Sequence, residues 1–145
     1  MKIFLDSSEI NEIRKWKDRV DGFTCNPSLM RKAGVTDYEK FAKEVLKIVG
    51  NKPVSFEVIA DDFDEMERQA KIISSWGKNV YVKIPVSNTI GNDSKNLVLR
   101  LTASGIKVNL TAITQALQVN LLPYYVNRLI VSIFAGRIAD TGEDP

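Results

Sequence analysis

Histidine is absent from this chain of 145 residues, and cysteine occurs once, as Cys25. The first absence excludes Ser-His and Cys-His nucleophile pairs, imidazole acid-base catalysis and histidine-ligated zinc. A single cysteine excludes an internal disulfide and favours a reducing compartment. Any chemistry must therefore use lysine, carboxylates, hydroxyls and amides.

Strong charge, glycine-rich loops and long apolar runs are lacking as well. The net charge is +2 and no basic run occurs, which gives no case for a nucleic-acid partner. No apolar run approaches membrane-spanning length, and the amino terminus lacks the apolar stretch of a signal peptide. No glycine-rich phosphate loop follows the first predicted strand, which disfavours a dinucleotide site. We therefore expect a cytoplasmic protein with no membrane or nucleic-acid partner.

Short apolar segments alternate with amphipathic ones along the chain. Strands are predicted to begin near residues 2, 22, 54, 80, 106 and 128. This regular series predicts a parallel sheet with right-handed crossovers, in one domain that covers residues 1–145. The predicted class is α/β, of the (β/α)8 TIM-barrel type, with only about six βα units instead of the usual eight.

Capping and proline rules predict several boundaries in the first half of the chain. Ser7 and Ser8 are expected to cap the first helix, and Thr36 with Glu39 to form a capping box for the next. Pro27 is expected to end the second strand, because proline has no N–H to donate to a ladder.

The second half gives a weaker pattern. The fifth strand is predicted at residues 106–111, followed by a helix at 112–122 that Pro123 breaks. The sixth strand is predicted at 129–136, and residues 137–145 as a loop or frayed tail.

Lys83 lies in the middle of the apolar segment 80–86, which has the composition of a strand buried on both faces. A buried lysine either pairs with a carboxylate or loses its proton, because desolvation disfavours the ammonium. A neutral amine in an apolar site is a nucleophile that forms a Schiff base with carbonyl substrates. The alternatives are an edge-strand lysine that reaches solvent and a purely structural ion pair.

Polar residues occur at the carboxyl ends of all six predicted strands, where the active site of a (β/α)8 barrel lies. They are Asp6, Thr24, Asn26, Glu57, Lys83, Asn109, Thr111, Ser132 and Arg137. Thr24 and Asn26 are two residues apart and share a face of their strand, as do Asn109 and Thr111. The alternative is that such residues are turn and helix-capping residues, a role for which aspartate at position 6 is well suited.

Six segments, in this order, resemble the transaldolase family. They are residues 4–6 (FLD), 24–29 (TCNPSL), the strand of Glu57, 82–85 (VKIP), 109–111 (NLT) and 134–137 (FAGR). The resemblance is greatest to the short transaldolases, the subgroup that also contains the fructose-6-phosphate aldolases. It spans the whole chain.

The resemblance implies an enzyme that transfers a three-carbon dihydroxyacetone unit between sugar phosphates through a Schiff base on Lys83. Asp6 would take and return the proton of a substrate hydroxyl, while Glu57, with Thr111 and a water, would move protons during imine formation. The resemblance further assigns substrate contacts to Thr24, Asn26, Asn109, Ser132 and Phe134, and phosphate binding to Arg137. It implies no metal and no organic cofactor.

Two positions bear on the type of reaction. With a glutamate at position 57 and a phenylalanine at position 134, the chain resembles the transaldolases of the family. The resemblance implies glutamine and tyrosine at these two positions in the aldolase branch. The alternatives are a fructose-6-phosphate aldolase of the same family and a non-catalytic remnant that binds a partner at most.

The sequence stops after the sixth predicted strand, so the seventh and eighth strands of the resembled fold are missing. Because barrel closure pairs the first strand with the eighth, two strand edges would be open. We expect a truncated piece of a complete enzyme, or a chain that associates with a second fragment or with itself as a homo-oligomer. Cys25 should face away from Thr24 and Asn26, as a packed thiol.

Overall fold

Six parallel strands form one curled sheet in this computed structural model, which describes residues 1–120, 129–142 and 144. The strands are β1 (Phe4–Asp6), β2 (Gly22–Thr24), β3 (Val54–Glu57), β4 (Val80–Pro85), β5 (Val108–Ile113) and β6 (Leu129–Ile133). Each strand pairs with the next one along the chain. This sequential order is that of a (β/α)8 barrel, whereas the strand order of a doubly wound sheet reverses. The predicted fold class is confirmed.

Helices connect the strands. They are α1 (Ile10–Trp16), α2 (Pro27–Lys32), α3 (Tyr38–Val49), α4 (Phe63–Ser75), α5 (Lys95–Ala103), α6 (Ala116–Asn120) and α7 (Ala135–Ala139). The side chains of Asp37 and Asp62 cap α3 and α4 by accepting backbone N–H groups of the first turn. Gly50 ends α3 with a φ of 64°, a conformation that glycine adopts at no steric cost. No helix in the described part of the chain is long and apolar enough to cross a membrane.

The apolar core lies between the outer face of the sheet and the helices. Phe56 and Val82, on β3 and β4, are fully buried there, against a cluster that includes Val45 of α3 and Ile73 of α4. Alternate residues of the same strands face the other way, toward the barrel interior. Because side chains alternate along a strand, one face of each strand packs in the core and the other face can carry polar side chains.

The caps of α1 and α3 differ from those predicted. Glu9, not Ser7 or Ser8, occupies the N-cap position of α1, and the Oγ of Ser7 donates to Glu12 instead. The predicted capping box at Thr36 is wrong by one residue, because the side chain of Asp37 caps α3.

Pro27 begins a helix that the sequence analysis missed. Asn26 is the N-cap of α2, and its Oδ1 accepts a hydrogen bond from Leu29 N at 2.9 Å. Proline suits the first helical position, because an N–H there would have no partner within the helix. Pro27 therefore starts α2, and β2 ends earlier than predicted, at Thr24.

The second half departs further from the prediction. β5 continues to Ile113 because it keeps pairing with β6, so a helix at 112–122 is wrong in its first turn. The predicted break at Pro123 lies outside the described residues. β6 ends at Ile133, and α7 replaces part of the predicted tail.

Candidate active site

A pocket of about 570 Å³ opens at the carboxyl ends of the strands. The residues singled out from the sequence line it, with the exception of Asn109: Asp6, Thr24, Asn26, Glu57, Lys83, Thr111, Ser132, Phe134 and Arg137. Asn109 is buried behind Ser132, whose Oγ donates to Asn109 Oδ1 at 2.7 Å. The parallel register thus collects side chains from all six strands at one end of the sheet.

Lys83 and Glu57 form the most buried ionisable pair that the pocket contains among the described residues. Lys83 Nζ lies 3.2 Å from Glu57 Oε2, with the side chains only 6% and 21% exposed. The residues are register partners on β4 and β3, which points both to the same face. β4 has a neighbour on each side, so the edge-strand alternative for Lys83 is wrong, and the buried lysine has the carboxylate partner that its burial requires.

Burial raises the pKa of Glu57 above its ordinary value, and the charge of Lys83 beside it offsets part of the rise. Such a carboxyl holds its proton more readily than a solvent-exposed one. Next to an amine, it can therefore both take and return a proton closer to neutral pH.

Asp6 is held by the end of β2. Thr24 Oγ1 donates to Asp6 Oδ1 at 2.7 Å, and Asn26 Nδ2 donates to Asp6 Oδ2 at 3.4 Å. The helix-capping alternative for Asp6 is wrong, since Glu9 occupies the N-cap of α1. The carboxylate is oriented into the pocket by its neighbours but remains exposed on an edge strand.

Thr111 is buried, and its Oγ1 has no hydrogen-bond partner among the described residues. The next residue, Ala112, has a φ of 62°, which is uncommon for a residue with a Cβ. The register of β5 with β6 shifts between Leu110 and Ile113, as at a β-bulge. Since buried hydroxyls normally have partners, the hydroxyl of Thr111 is suited to a ligand or a water in the pocket that it lines.

Phe134 and Arg137 border the pocket where β6 meets α7. The side chain of Arg137 is 76% exposed, and its Nη1 lies 3.4 Å from Asp140 Oδ2. A guanidinium in this position can form charge-assisted hydrogen bonds with a phosphate group.

The thiol of Cys25 does not belong to this site. Its side chain is buried, and Sγ donates to the carbonyl oxygen of Ser7 at 3.2 Å. Burial raises its pKa to about 12, so the thiol stays protonated at neutral pH and the prediction of a packed thiol is confirmed. In the part of the chain that the structure describes, no group of three or more cysteine and acidic side chains could hold a metal ion.

A sequence model of the family described as Transaldolase/Fructose-6-phosphate aldolase matches residues 3–145. The chain belongs to this family. Among similar proteins, one named "Probable transaldolase" from Dehalococcoides mccartyi is 35% identical over 149 residues, which cover 99% of this chain and 65% of the relative. "Probable transaldolase 2" from Listeria monocytogenes is 38% identical over 146 residues, which cover 99% of this chain and 64% of the relative. A "Probable transaldolase" from Methanococcus maripaludis is 40% identical over 146 residues, which cover 99% of this chain and 65% of the relative.

The chain thus spans slightly less than two thirds of the length of these transaldolase-named relatives. The match nevertheless includes all six strands and every residue of the pocket.

Two residues that support the site of this family member were missed in the sequence. Ser55 Oγ accepts a hydrogen bond from Asn109 Nδ2 at 3.0 Å, and the hydroxyl of Tyr38 donates to the carbonyl oxygen of Glu57 at 2.9 Å. The ring of Tyr38 also meets that of Trp76 edge-on, with centroids 5.1 Å apart. Neither residue stands at the carboxyl end of a strand, so a search of strand ends could not find them. Ser55 did carry a signal, because it lies two residues before Glu57 on the same face.

Proposed function

We propose that this chain carries a transaldolase-type catalytic site, which transfers a three-carbon dihydroxyacetone unit between sugar phosphates through a Schiff base. The observation that supports this most is the buried Lys83 with its Nζ 3.2 Å from a carboxylate, in a pocket of hydroxyl, amide and carboxyl groups. Membership of the family and the names of the relatives point the same way.

The first step joins the substrate to Lys83. The ammonium gives a proton to Glu57, and the free amine attacks the ketone carbon of the sugar phosphate. A proton then passes from nitrogen to oxygen through the hydroxyl of Thr111 and a water, which gives a carbinolamine. Glu57 returns its proton to the carbinolamine hydroxyl, water leaves, and the nitrogen lone pair completes the iminium. A carboxyl with a raised pKa suits these opposite transfers.

The second step breaks and remakes a carbon–carbon bond. Asp6 takes the proton of the substrate hydroxyl beside that bond, an aldehyde departs, and the bonding electrons move into the iminium to form an enamine. The enamine carbon then attacks an acceptor aldehyde, and the new alkoxide takes the proton back from Asp6. Hydrogen bonds from Thr24 and Asn26 hold the carboxylate in one orientation during both transfers.

The remaining side chains would hold the substrate. Ser132 and Asn26 are placed to bind hydroxyls, and Arg137 to bind the phosphate far from the reacting carbon, where a charged contact fixes orientation. Asn109 is not on the pocket wall, so it would act on a substrate hydroxyl through Ser132. The steps require no metal and no organic cofactor.

A product assay tests the proposal. With fructose 6-phosphate and erythrose 4-phosphate, we expect glyceraldehyde 3-phosphate and a seven-carbon ketose phosphate, with little free dihydroxyacetone. The ring of Phe134 lines the pocket and offers no hydroxyl to protonate the enamine, which favours transfer over release. Release of dihydroxyacetone without transfer would replace this proposal by the aldolase, and absence of any product would favour the non-catalytic alternative.

We also propose that the chain associates with itself. β1 and β6 each pair with a single strand within the described residues, which leaves backbone groups on both edges for a partner. Ile3 and Ile133, at these edges, are 53% and 59% exposed. Light scattering of the purified chain should give the mass of a dimer or larger assembly, and a monomer at micromolar concentration would contradict the expectation.

A further inference from the structure

The backbone carbonyl of Glu57 lies where the hydrogen bonding between β2 and β3 stops. Up to this point, N–H groups of alternate residues donate to carbonyl oxygens of alternate residues, both at 2.9 Å: Phe23 to Pro53, and Cys25 to Ser55. The next acceptor in this series is the carbonyl oxygen of Glu57, and the next donor would be residue 27. Residue 27 is a proline, which has no N–H. The ladder from β2 therefore offers this carbonyl no donor at its next position.

The side chain of Tyr38 supplies the donor instead. Its hydroxyl donates to the carbonyl oxygen of Glu57 at 2.9 Å. On the other side of β3, Val58 N donates to the carbonyl oxygen of Lys83 at 3.2 Å. The backbone at the end of β3 is thus held from both sides, by β4 on one and by Tyr38 on the other.

The phenol of Tyr38 is itself fixed in place. Its ring meets the rings of Trp76 and Phe56 edge-on, with centroids 5.1 and 6.2 Å away. Its backbone begins α3, directly after the N-cap Asp37. Burial raises the pKa of Tyr38 above its ordinary value, so the hydroxyl keeps its proton and remains a donor at neutral pH.

The residue that Tyr38 holds carries the carboxyl of the candidate site. Glu57 is the last residue of β3, and its Oε2 lies 3.2 Å from Lys83 Nζ. This distance is at the upper end of the range over which a proton passes directly between two groups. A small shift of the Glu57 backbone would therefore move the carboxyl out of reach of the amine.

We propose that Tyr38 is a positioning residue for imine formation, which replaces the missing backbone donor at the end of β3 and so holds the carboxyl of Glu57 against Lys83. The inference rests on the proposed Schiff-base function, because an imine must form on Lys83 for the effect to be seen. Tyr38 does not line the pocket, so it acts through Glu57 and should leave ketone binding unchanged.

The test removes the hydroxyl and keeps the ring, with Tyr38→Phe. The protein is mixed with dihydroxyacetone and cyanoborohydride, which reduces an iminium faster than a free ketone, at a reductant concentration beyond which the rate is constant. Intact-protein mass spectrometry follows the labelled fraction over time. The maximal rate of labelling should fall about three- to tenfold, the value of one good hydrogen bond. The ketone concentration for half-maximal rate should change by less than about twofold, because no contact with the ketone is lost.

A double-mutant cycle shows whether the effect passes through the carboxyl. Glu57→Gln removes the group that transfers protons and should be labelled more slowly than the wild type. Adding Tyr38→Phe to Glu57→Gln should lower the maximal rate by less than about twofold, because no carboxyl is left to position. A merely structural role of Tyr38 would lower the rate equally in both backgrounds.

Tyr81→Phe is the matched control. Tyr81 is half-buried, as Tyr38 is, and it lies on the strand that carries Lys83. It is outside the pocket, with its ring 5.5 Å from Lys107 Nζ. Tyr81→Phe should be labelled at the wild-type rate. Circular dichroism checks that each variant is folded.

The outcomes are distinct. A folded Tyr38→Phe protein with the wild-type maximal rate overturns the inference, as does an equal fall in Tyr81→Phe or in the Glu57→Gln background. A change in the half-maximal ketone concentration in place of the rate also overturns it, because Tyr38 would then act on binding. A wild-type protein that dihydroxyacetone leaves unlabelled overturns the proposed function itself, and with it the positioning role.

Discussion

The central strands and the two edge strands of this sheet differ in how far they bury the residues of the candidate site. Lys83, Asn109 and Thr111, on β4 and β5, are at most 5% exposed, whereas Asp6 on β1 and Phe134 after β6 are exposed. The cause is topological, because β4 and β5 have a neighbour on each side and β1 and β6 pair with one described strand each. The buried Lys83 thus lies in the centre of the sheet, and the exposed residues of the candidate site lie at its edges.

Removal of the central amine should have the largest effect. Lys83→Arg keeps a positive charge beside Glu57 but cannot form an imine, so labelling by a ketone and borohydride should fall at least a hundredfold, to background. Intact-protein mass spectrometry measures the labelled fraction of the protein. Lys107→Arg serves as the control, since Lys107 Nζ contacts the carbonyl oxygen of Lys78 outside the pocket. Labelling that persists in Lys83→Arg would refute the assignment.

A second pair of variants compares what a buried side chain on a central strand and an exposed side chain on an edge strand contribute to the free energy of unfolding. Phe56→Ala empties a fully buried position on β3 and should lower the free energy of unfolding by about 3 to 5 kcal/mol. Ile133→Ala removes a side chain that is 59% exposed on β6 and should change the free energy of unfolding of the dissociated chain by no more than about 0.5 kcal/mol. Urea unfolding followed by circular dichroism, at a protein concentration low enough to dissociate the proposed assembly, compares the two variants. Similar losses in both variants under these conditions would contradict the difference between centre and edge.

Substitution of Arg137 tests whether a side chain beside the edge strand β6 binds the substrate phosphate. Arg137→Ala should raise the concentration of fructose 6-phosphate for half-maximal labelling about three- to tenfold, because an exposed charged contact to the phosphate is lost. The value for dihydroxyacetone, which has no phosphate, should not change. Arg100→Ala, which removes an arginine paired with Glu67 on the outside, controls for the loss of charge. Equal effects on both ketones would contradict the phosphate role.

The smallest expected effect concerns the pH dependence of stability. Burial raises the pKa of Glu57 in the folded chain, so the folded state holds this proton at pH values where the unfolded chain has lost it. Its contribution is fully present below the unfolded pKa of about 4.5 and is lost as the pH rises through the higher folded value. The wild type should therefore lose stability relative to Glu57→Gln as the pH rises from 4 to 8. A difference that stays constant or grows in favour of the wild type in urea titrations would contradict the shift.

The sequence predicts the centre of the molecule better than its edges. The β-branched segments around Lys83 and Phe56 have the composition of buried strands, and their polar ends locate the pocket, because parallel strands end at the same edge. The start of a helix at Pro27 was missed, since proline is equally compatible with the end of a strand. The helix predicted after Thr111 does not begin there, because β5 continues to pair with β6 as far as Ile113. The positive φ of Ala112 within this segment is not indicated by any local sequence pattern.

Supporting residues are the other class that sequence patterns miss. Ser55 is a small polar residue inside an apolar strand, and its partner Asn109 lies two strands away, on β5. Tyr38 belongs to the first turn of α3, where its hydroxyl reaches the backbone of Glu57 across the sheet surface. Such contacts join residues far apart in the chain and depend on the assembled fold.

The most direct test of the central claim is to locate the covalent adduct. The wild-type chain is incubated with fructose 6-phosphate, reduced with borohydride, digested and sequenced by tandem mass spectrometry. We expect one modified peptide, with the reduced adduct on Lys83: the six-carbon sugar phosphate or, after cleavage and protonation of the enamine, the three-carbon unit. A unit found on an exposed lysine, spread over several lysines, or absent altogether would contradict it.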